Sequence, residues 1–181
     1  MAANAEDVVS PAGVRVLARL AVVALGTLAL LSRTTGAEAL VVTLLVGTVG
    51  LTSPACRPIA NGWFAMLVRL VAFGGASLVA DAPVAPATSM GIAVAIAAAV
   101  AEESFFRGFS HDVLSRELGN VTAVIITAVL FALVHVPLYG WGVLPVDVTA
   151  GVVFGWQRCV TRSWSIPAAT HLVANILVLS S

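Results

Sequence analysis

The sequence predicts an all-α fold, an integral membrane bundle of about seven transmembrane helices. Three observations predict it. Of the 181 residues, 60% are hydrophobic and only 10% charged, against about 45–50% and about 25% in an ordinary soluble domain. The mean hydropathy is +1.04, and so little polar surface cannot cover so much apolar mass in water. The apolar residues are also gathered into runs close to the ~20 residues that cross a bilayer as a helix. The same figures exclude disorder. Nine arginines balance nine acidic residues, so no nucleic-acid footprint is present.

Residues 1–13 read as a short polar tail, and 14–181 as a single integral membrane domain with no linker. The first run, Val14–Leu31, ends at Ser-Arg-Thr-Thr-Gly. It is long enough to span, and a second run follows almost at once. It therefore reads as an uncleaved first helix rather than a signal peptide, despite small residues at Ala37 and Ala39. Ala37–Leu51 runs into a Pro-, Asn- and Gly-containing break, and Trp63–Ala80 stops at Asp-Ala-Pro-Val-Ala-Pro. Pro86–Phe109 holds the alanine run Ala93–Ala101, which predicts a tightly packed, buried helix. Val121–Leu138 follows the Ser115–Asn120 break. Trp141–Val160 contains Gly151-Val-Val-Phe-Gly155, a small-xxx-small pattern that predicts close internal helix packing. Trp164–Leu179 closes the series. The breaks hold the Pro, Gly, Asn and charged residues that turns use. Trp63, Trp141 and Trp164 stand at run starts, where amphipathic rings favour the headgroup level.

Orientation follows from the arginines. With the amino terminus in the cytoplasm, Arg15, Arg19, Arg57, Arg116, Arg158 and Arg162 fall on the inner side and only Arg33 among the loop arginines falls outside. Cys56 and Cys159 then face the reducing side, and neither shows metal-ligand or disulfide spacing. The lysine-free, alanine- and valine-rich composition points to a bacterial cytoplasmic membrane from a GC-rich genome.

The informative residues are polar ones inside the apolar runs. Glu102, Glu103 and Arg107 share one helical segment, and each ionised group at mid-membrane costs on the order of 2.5–3.5 kcal/mol if it faces lipid. Glu103 and Arg107 are four apart with the acid first, the favourable order for a pair. Glu102 points about 100° away from Glu103, so the two carboxylates take different partners and can take different proton affinities. Phe131 and His135 are four apart on one face of the fifth run, as are His171 and Asn175 on the seventh. His111 lies at the polar end of the fourth run and reads as solvent-facing. Arg69, Asp147 and Gln157 are close enough to run ends to reach water along their side chains. His135 lies about fourteen residues, or ~21 Å, from the inner end of its run, and His171 about eight, or ~12 Å. For the two to meet, the helices must tilt or the boundaries must shift.

Glu102-Glu103-Ser-Phe-Phe-Arg107, Phe131-Ala-Leu-Val-His135 and His171-Leu-Val-Ala-Asn175, in that order on separate apolar segments, resemble the CPBP membrane protease family. That family includes the CAAX prenyl endoproteases and bacterial abortive-infection and bacteriocin-processing proteins. The resemblance spans residues 86–181, the last four helices, and Gly108 after the arginine also fits. It implies a glutamate-dependent intramembrane endopeptidase with its catalytic core in those four helices, needing no cofactor and no metal. By this resemblance Glu102, as general base, and His135 hold and activate a water. His171 and Asn175 donate to the oxyanion, and Glu103 with Arg107 form an orienting ion pair. The implied partners are the lipid bilayer and a membrane-associated protein or peptide substrate. In a bacterial setting a prenylated substrate is not expected.

Other functions fit the same residues. In a non-enzymatic membrane adaptor or immunity protein, Glu103–Arg107 would only fix helix packing and backbone carbonyls would satisfy the histidines. A zinc-dependent membrane protease could use both histidines and one glutamate as ligands, although the chain lacks His-Glu-x-x-His. A proton-coupled carrier could use a Glu/His relay, but no inverted repeat is visible.

Overall fold

The computed structural model describes residues 10–33, 37–53 and 89–180, and no strand occurs among them. The first helix, α1 (Pro11–Leu31), starts where the sequence supplies a cap. Ser10 Oγ accepts from the Gly13 N–H at 3.2 Å and Pro11 occupies the first turn, where its missing N–H loses no helical bond. α2 (Ala37–Gly50) follows. The apolar run Trp63–Ala80, with Arg69, lies outside the described residues, as do Cys56, Arg57 and residues 1–9.

The fourth apolar run is not one α-helix. α3 (Ser89–Glu103) gives way to a π-helical segment, Ser104–Ser110, and then to α4 (His111–Leu118). Ser104 Oγ donates to Ala101 O (2.9 Å) and to Gly47 O of α2 (3.0 Å) at the point where the pattern changes. A hydroxyl that competes for a backbone acceptor is a known means of loosening the α-helical ladder. π-helical turns are rare and concentrate at functional sites; this one begins directly after the two glutamates.

The fifth run also divides. α5 (Asn120–Leu133) stops, and a short α6 (Val136–Tyr139) begins after His135. Pro137 is the cause, since it has no N–H for the Leu133 carbonyl and cannot continue the helix. A 3₁₀ turn, Trp141–Val143, leads into α7 (Leu144–Thr161), and α8 (Ser165–Ser180) closes the described chain. Gly119 and Gly140 carry positive φ at two of the joints, a conformation that favours glycine. Two stretches, Pro11–Leu31 and Asn120–Tyr139, are long and apolar enough to cross a membrane.

The core sits on the π-helical segment. Phe105, Phe106 and Phe109 pack with Val23 and Leu30 of α1, Phe131 of α5, and Ala150 and Phe154 of α7. The rings meet edge to face, Phe106 on Phe131 at 5.7 Å and Phe131 on Phe154 at 6.1 Å, the arrangement that ring quadrupoles favour. The alanine run packs less than its composition suggests. Ala99 and Ala101 are buried, but Ala93, Val94, Ile96 and Val100 are exposed. Its carboxyl end closes tightly on α2, where Gly47 leaves room for Ala101.

Gly151 and Gly155 serve contact within the chain, as their spacing predicts. A Cβ on Gly151 would come 2.7 Å from Ala128 Cα, and one on Gly155 would come 2.8 Å from a Val124 methyl group. α5 and α7 therefore touch almost backbone to backbone. Gly151→Val should force them apart at about 1–3 kcal/mol. A lowered melting temperature in detergent checks this, and an unchanged one contradicts the close contact.

Candidate active site

Glu102 and Glu103 stand at the carboxyl end of α3, and both side chains are buried, at 5% and 0% exposure. Helix geometry sends them to different partners. Glu103 Oε1 accepts from Arg107 Nη1 at 2.8 Å, the pair that the four-residue spacing predicts. It also accepts from His171 Nδ1 at 3.1 Å. A carboxylate can only accept, so the His171 Nδ1 carries a hydrogen, and Glu103 fixes the ring's orientation as well as the arginine's charge.

Arg107 is fully buried, and the fold satisfies it in two ways. Nη2 donates to Gly151 O at 3.2 Å. Its guanidinium lies over the rings of Phe131 at 4.4 Å and Phe154 at 5.1 Å, where a desolvated cation gains about 2 kcal/mol or more from the ring quadrupoles. The same two rings reach the site histidine on α8: His171 stacks on Phe154 at 5.2 Å and meets Phe131 edge to face at 5.6 Å.

Glu102 turns to the other histidine. Its Oε2 lies 3.5 Å from His135 Nε2. His135 Nδ1 sits 2.7 Å from Phe131 O, and because a carbonyl only accepts, Nδ1 carries the hydrogen. The Phe131 ring meets both histidine rings, His135 at 4.7 Å and His171 at 5.6 Å. α5 ends before His135, and both imidazoles reach the same cluster. Asn175 follows His171 by one turn of α8 and is half-buried. Among the described residues no hydrogen bond ties it to the cluster.

Two members of the site are ones that the sequence assigns elsewhere. Arg33, expected in an outer loop, is 5% exposed and donates to Glu102 Oε1 at 2.8 Å. Asp147, expected to be explained by its run end, brings Oδ2 within 3.4 Å of His135 Nδ1 from the first turn of α7. A lone arginine between two apolar runs is the only signal for the first, and Asp147 carries none beyond its charge.

Gln157 and His111 also differ from expectation. Gln157 is fully buried and donates to Thr170 Oγ1 at 3.0 Å, tying α7 to α8. His111 is 3% exposed, not solvent-facing. α4 packs on α5, and side chains link its start to α7: Arg158 Nη2 donates to Asp112 Oδ1 at 2.6 Å and Cys159 Sγ lies 3.5 Å from His111 Nε2. Burial first, and then the Arg158 guanidinium, push His111 down to about 4. It is a neutral packing group apart from the glutamate–histidine cluster.

Three carboxylates, two imidazoles and two guanidiniums thus meet in one cluster built from the residue after α1's cap, α3, the π-helical segment, the α5–α6 break, the first turn of α7 and α8. Among the described residues, no three His, Cys, Asp or Glu side chains are arranged to hold a metal ion. Glu102, whose Oε2 faces His135 Nε2 and carries no arginine, is suited to proton transfer, and the fixed donors beside it suit a developing negative charge. Residues 83–177, more than half of the chain, match the family model described as Type II CAAX prenyl endopeptidase Rce1-like. No curated protein and no solved structure matches the chain.

Proposed function

The chain belongs to the Rce1-like family of type II CAAX prenyl endopeptidases, a family of membrane-embedded proteases, and from that membership we propose that it is a metal-independent glutamic endopeptidase. In this reading it cleaves a membrane-associated protein or peptide within the bilayer. The observation that carries the proposal is the contact of Glu102 Oε2 with His135 Nε2 at 3.5 Å, close beside the Glu103–His171 contact at 3.1 Å.

The chemistry follows from which nitrogens carry hydrogens. With Nδ1 of His135 committed to Phe131 O, Nε2 is the nitrogen that faces the carboxylate. A water resting between the two donates a hydrogen to Glu102. Glu102 takes a proton from this water as its oxygen attacks the carbonyl carbon, a role worth about 10²–10⁴ in rate. The oxyanion of the tetrahedral intermediate accepts from the His171 ring and from the Asn175 amide. Glu102 then returns its proton to the leaving nitrogen as the C–N bond breaks, giving a carboxylic acid and an amine. No covalent enzyme intermediate forms.

We further read 14–181 as one seven-span membrane domain, with 86–181 as the catalytic core and the amino terminus in a bacterial cytoplasm. The test uses the full chain in proteoliposomes with membrane-tethered peptides. Cleavage should be unchanged by a zinc chelator. His171→Ala and Asn175→Ala should each lower kcat by about 10²–10³-fold, with little change in KM. Loss of activity on chelation, or wild-type kcat in both variants, contradicts the mechanism.

A further inference from the structure

The residues that carry the chemistry all lie within the family-matched segment, but a group from outside it touches the proposed base. Arg33 follows α1, and its side chain is only 3% exposed. Nη1 donates to Glu102 Oε1 at 2.8 Å and to Thr43 Oγ1 of α2 at 2.6 Å, while Nη2 reaches Val134 O at 3.5 Å. Thr43 in turn donates to Ala39 O at 2.7 Å, which directs its oxygen lone pairs toward the arginine.

One planar guanidinium therefore joins three elements: α2, the end of α3 and the residue that follows α5. Val134 immediately precedes His135, so the same group that grips Glu102 also touches the backbone that carries His135. A surface arginine reaching for water has no reason to be buried here. A simple counter-ion would need only the carboxylate, whereas Arg33 has a fixed fork and spreads it over acceptors on three elements, a use to which guanidinium is suited. Its consequence for Glu102 is geometric. Oε1 is taken, which leaves Oε2 as the oxygen that faces His135 at 3.5 Å.

We propose that Arg33 is a positioning residue of the active site, which holds the Glu102 carboxylate through Oε1 and keeps Oε2 turned toward His135 and the reacting water. It also gives the amino-terminal helices a part in catalysis although they lie outside the matched residues 83–177. The inference rests on Glu102 being the base.

The full chain in proteoliposomes tests it, with kcat, KM and detergent melting temperature read for each variant. A misplaced reacting group can lose about 100-fold in rate, so Arg33→Gln should lose kcat by about that factor with KM near wild type. Arg33→Lys, which can still reach Oε1 but not span three acceptors, should recover part of the loss. Thr43→Val removes one hydrogen bond from Arg33 without touching Glu102, and should lower kcat less, in the same direction. If Arg33→Gln does not fold, Thr43→Val decides, and wild-type kcat in it overturns the proposal. Wild-type kcat in a folded Arg33→Gln also overturns it. So does an equal loss in Arg33→Gln and Arg33→Lys that follows a lowered melting temperature, since that is a purely structural role. Retained cleavage by Glu102→Ala, run alongside, overturns the reading of the base itself, and thereby separates the two failures.

Discussion

Glu102→Gln should lose about 10²–10⁴-fold in kcat, the worth of a positioned general base, while the protein remains folded. The carboxamide keeps the shape of the side chain, and its oxygen can still accept from Arg33, now 2.8 Å from the carboxylate. What it cannot do is take a proton from water. Glu102→Ala should show no measurable cleavage, but it tests less cleanly. It leaves a buried Arg33 with only Thr43 and a distant carbonyl, and removing one partner of a buried pair costs about 3–5 kcal/mol. Comparing the two variants separates the loss of chemistry from the loss of a charge partner. Steady-state cleavage and melting temperature on the same preparations check this. A Glu102→Gln protein at wild-type rate would remove the carboxylate from the mechanism.

Arg107→Ala should be the most damaging single change to stability. It strands Glu103, whose side chain has no exposure, again at about 3–5 kcal/mol for an uncompensated buried charge. It also empties the slot between Phe131 and Phe154 and leaves Gly151 O without its guanidinium donor. The expected result is low yield and a much lower melting temperature. Replacing both charges with apolar residues, Glu103→Leu with Arg107→Met, should recover much of the stability, because the desolvation penalty then disappears with the pair. Activity should not return, since His171 loses the carboxylate that orients it. If Arg107→Ala melts like wild type, the ion pair is not what holds this part of the bundle. If the double variant is active, Glu103 does not position His171.

The parts of this arrangement that were legible in the sequence are those that one helical turn encodes. Glu103 and Arg107 pair at the spacing that predicts it. His135 finds the Phe131 ring and carbonyl four residues back. Gly151 and Gly155 admit α5 as small residues at that spacing should. Contacts between distant segments were not legible in this way. Arg33 and Glu102 are 69 positions apart, and nothing in Ser-Arg-Thr-Thr-Gly distinguishes a buried arginine from a loop arginine. Asp147 and His111 pose the same problem: nearness to the end of an apolar run does not show which neighbour folds over it.

Backbone irregularities were the other missing part. The π-helical segment Ser104–Ser110 and the break before Pro137 change which way side chains project, yet hydropathy runs straight through both. Hydropathy also sets His135 and His171 at different depths, yet both imidazoles meet the Phe131 ring. Pro137 is the signal for the break beside His135.

Comparing the peptides released by cells that carry the wild-type chain with those from cells carrying Glu102→Gln reads proteolysis by this carboxylate without assuming a substrate. Fragments of membrane-associated proteins should appear with the wild type and be absent from the variant at equal protein levels. Identical fragment profiles from the two strains would mean that Glu102 cuts no peptide bond, and the buried cluster around it would then serve some end other than hydrolysis.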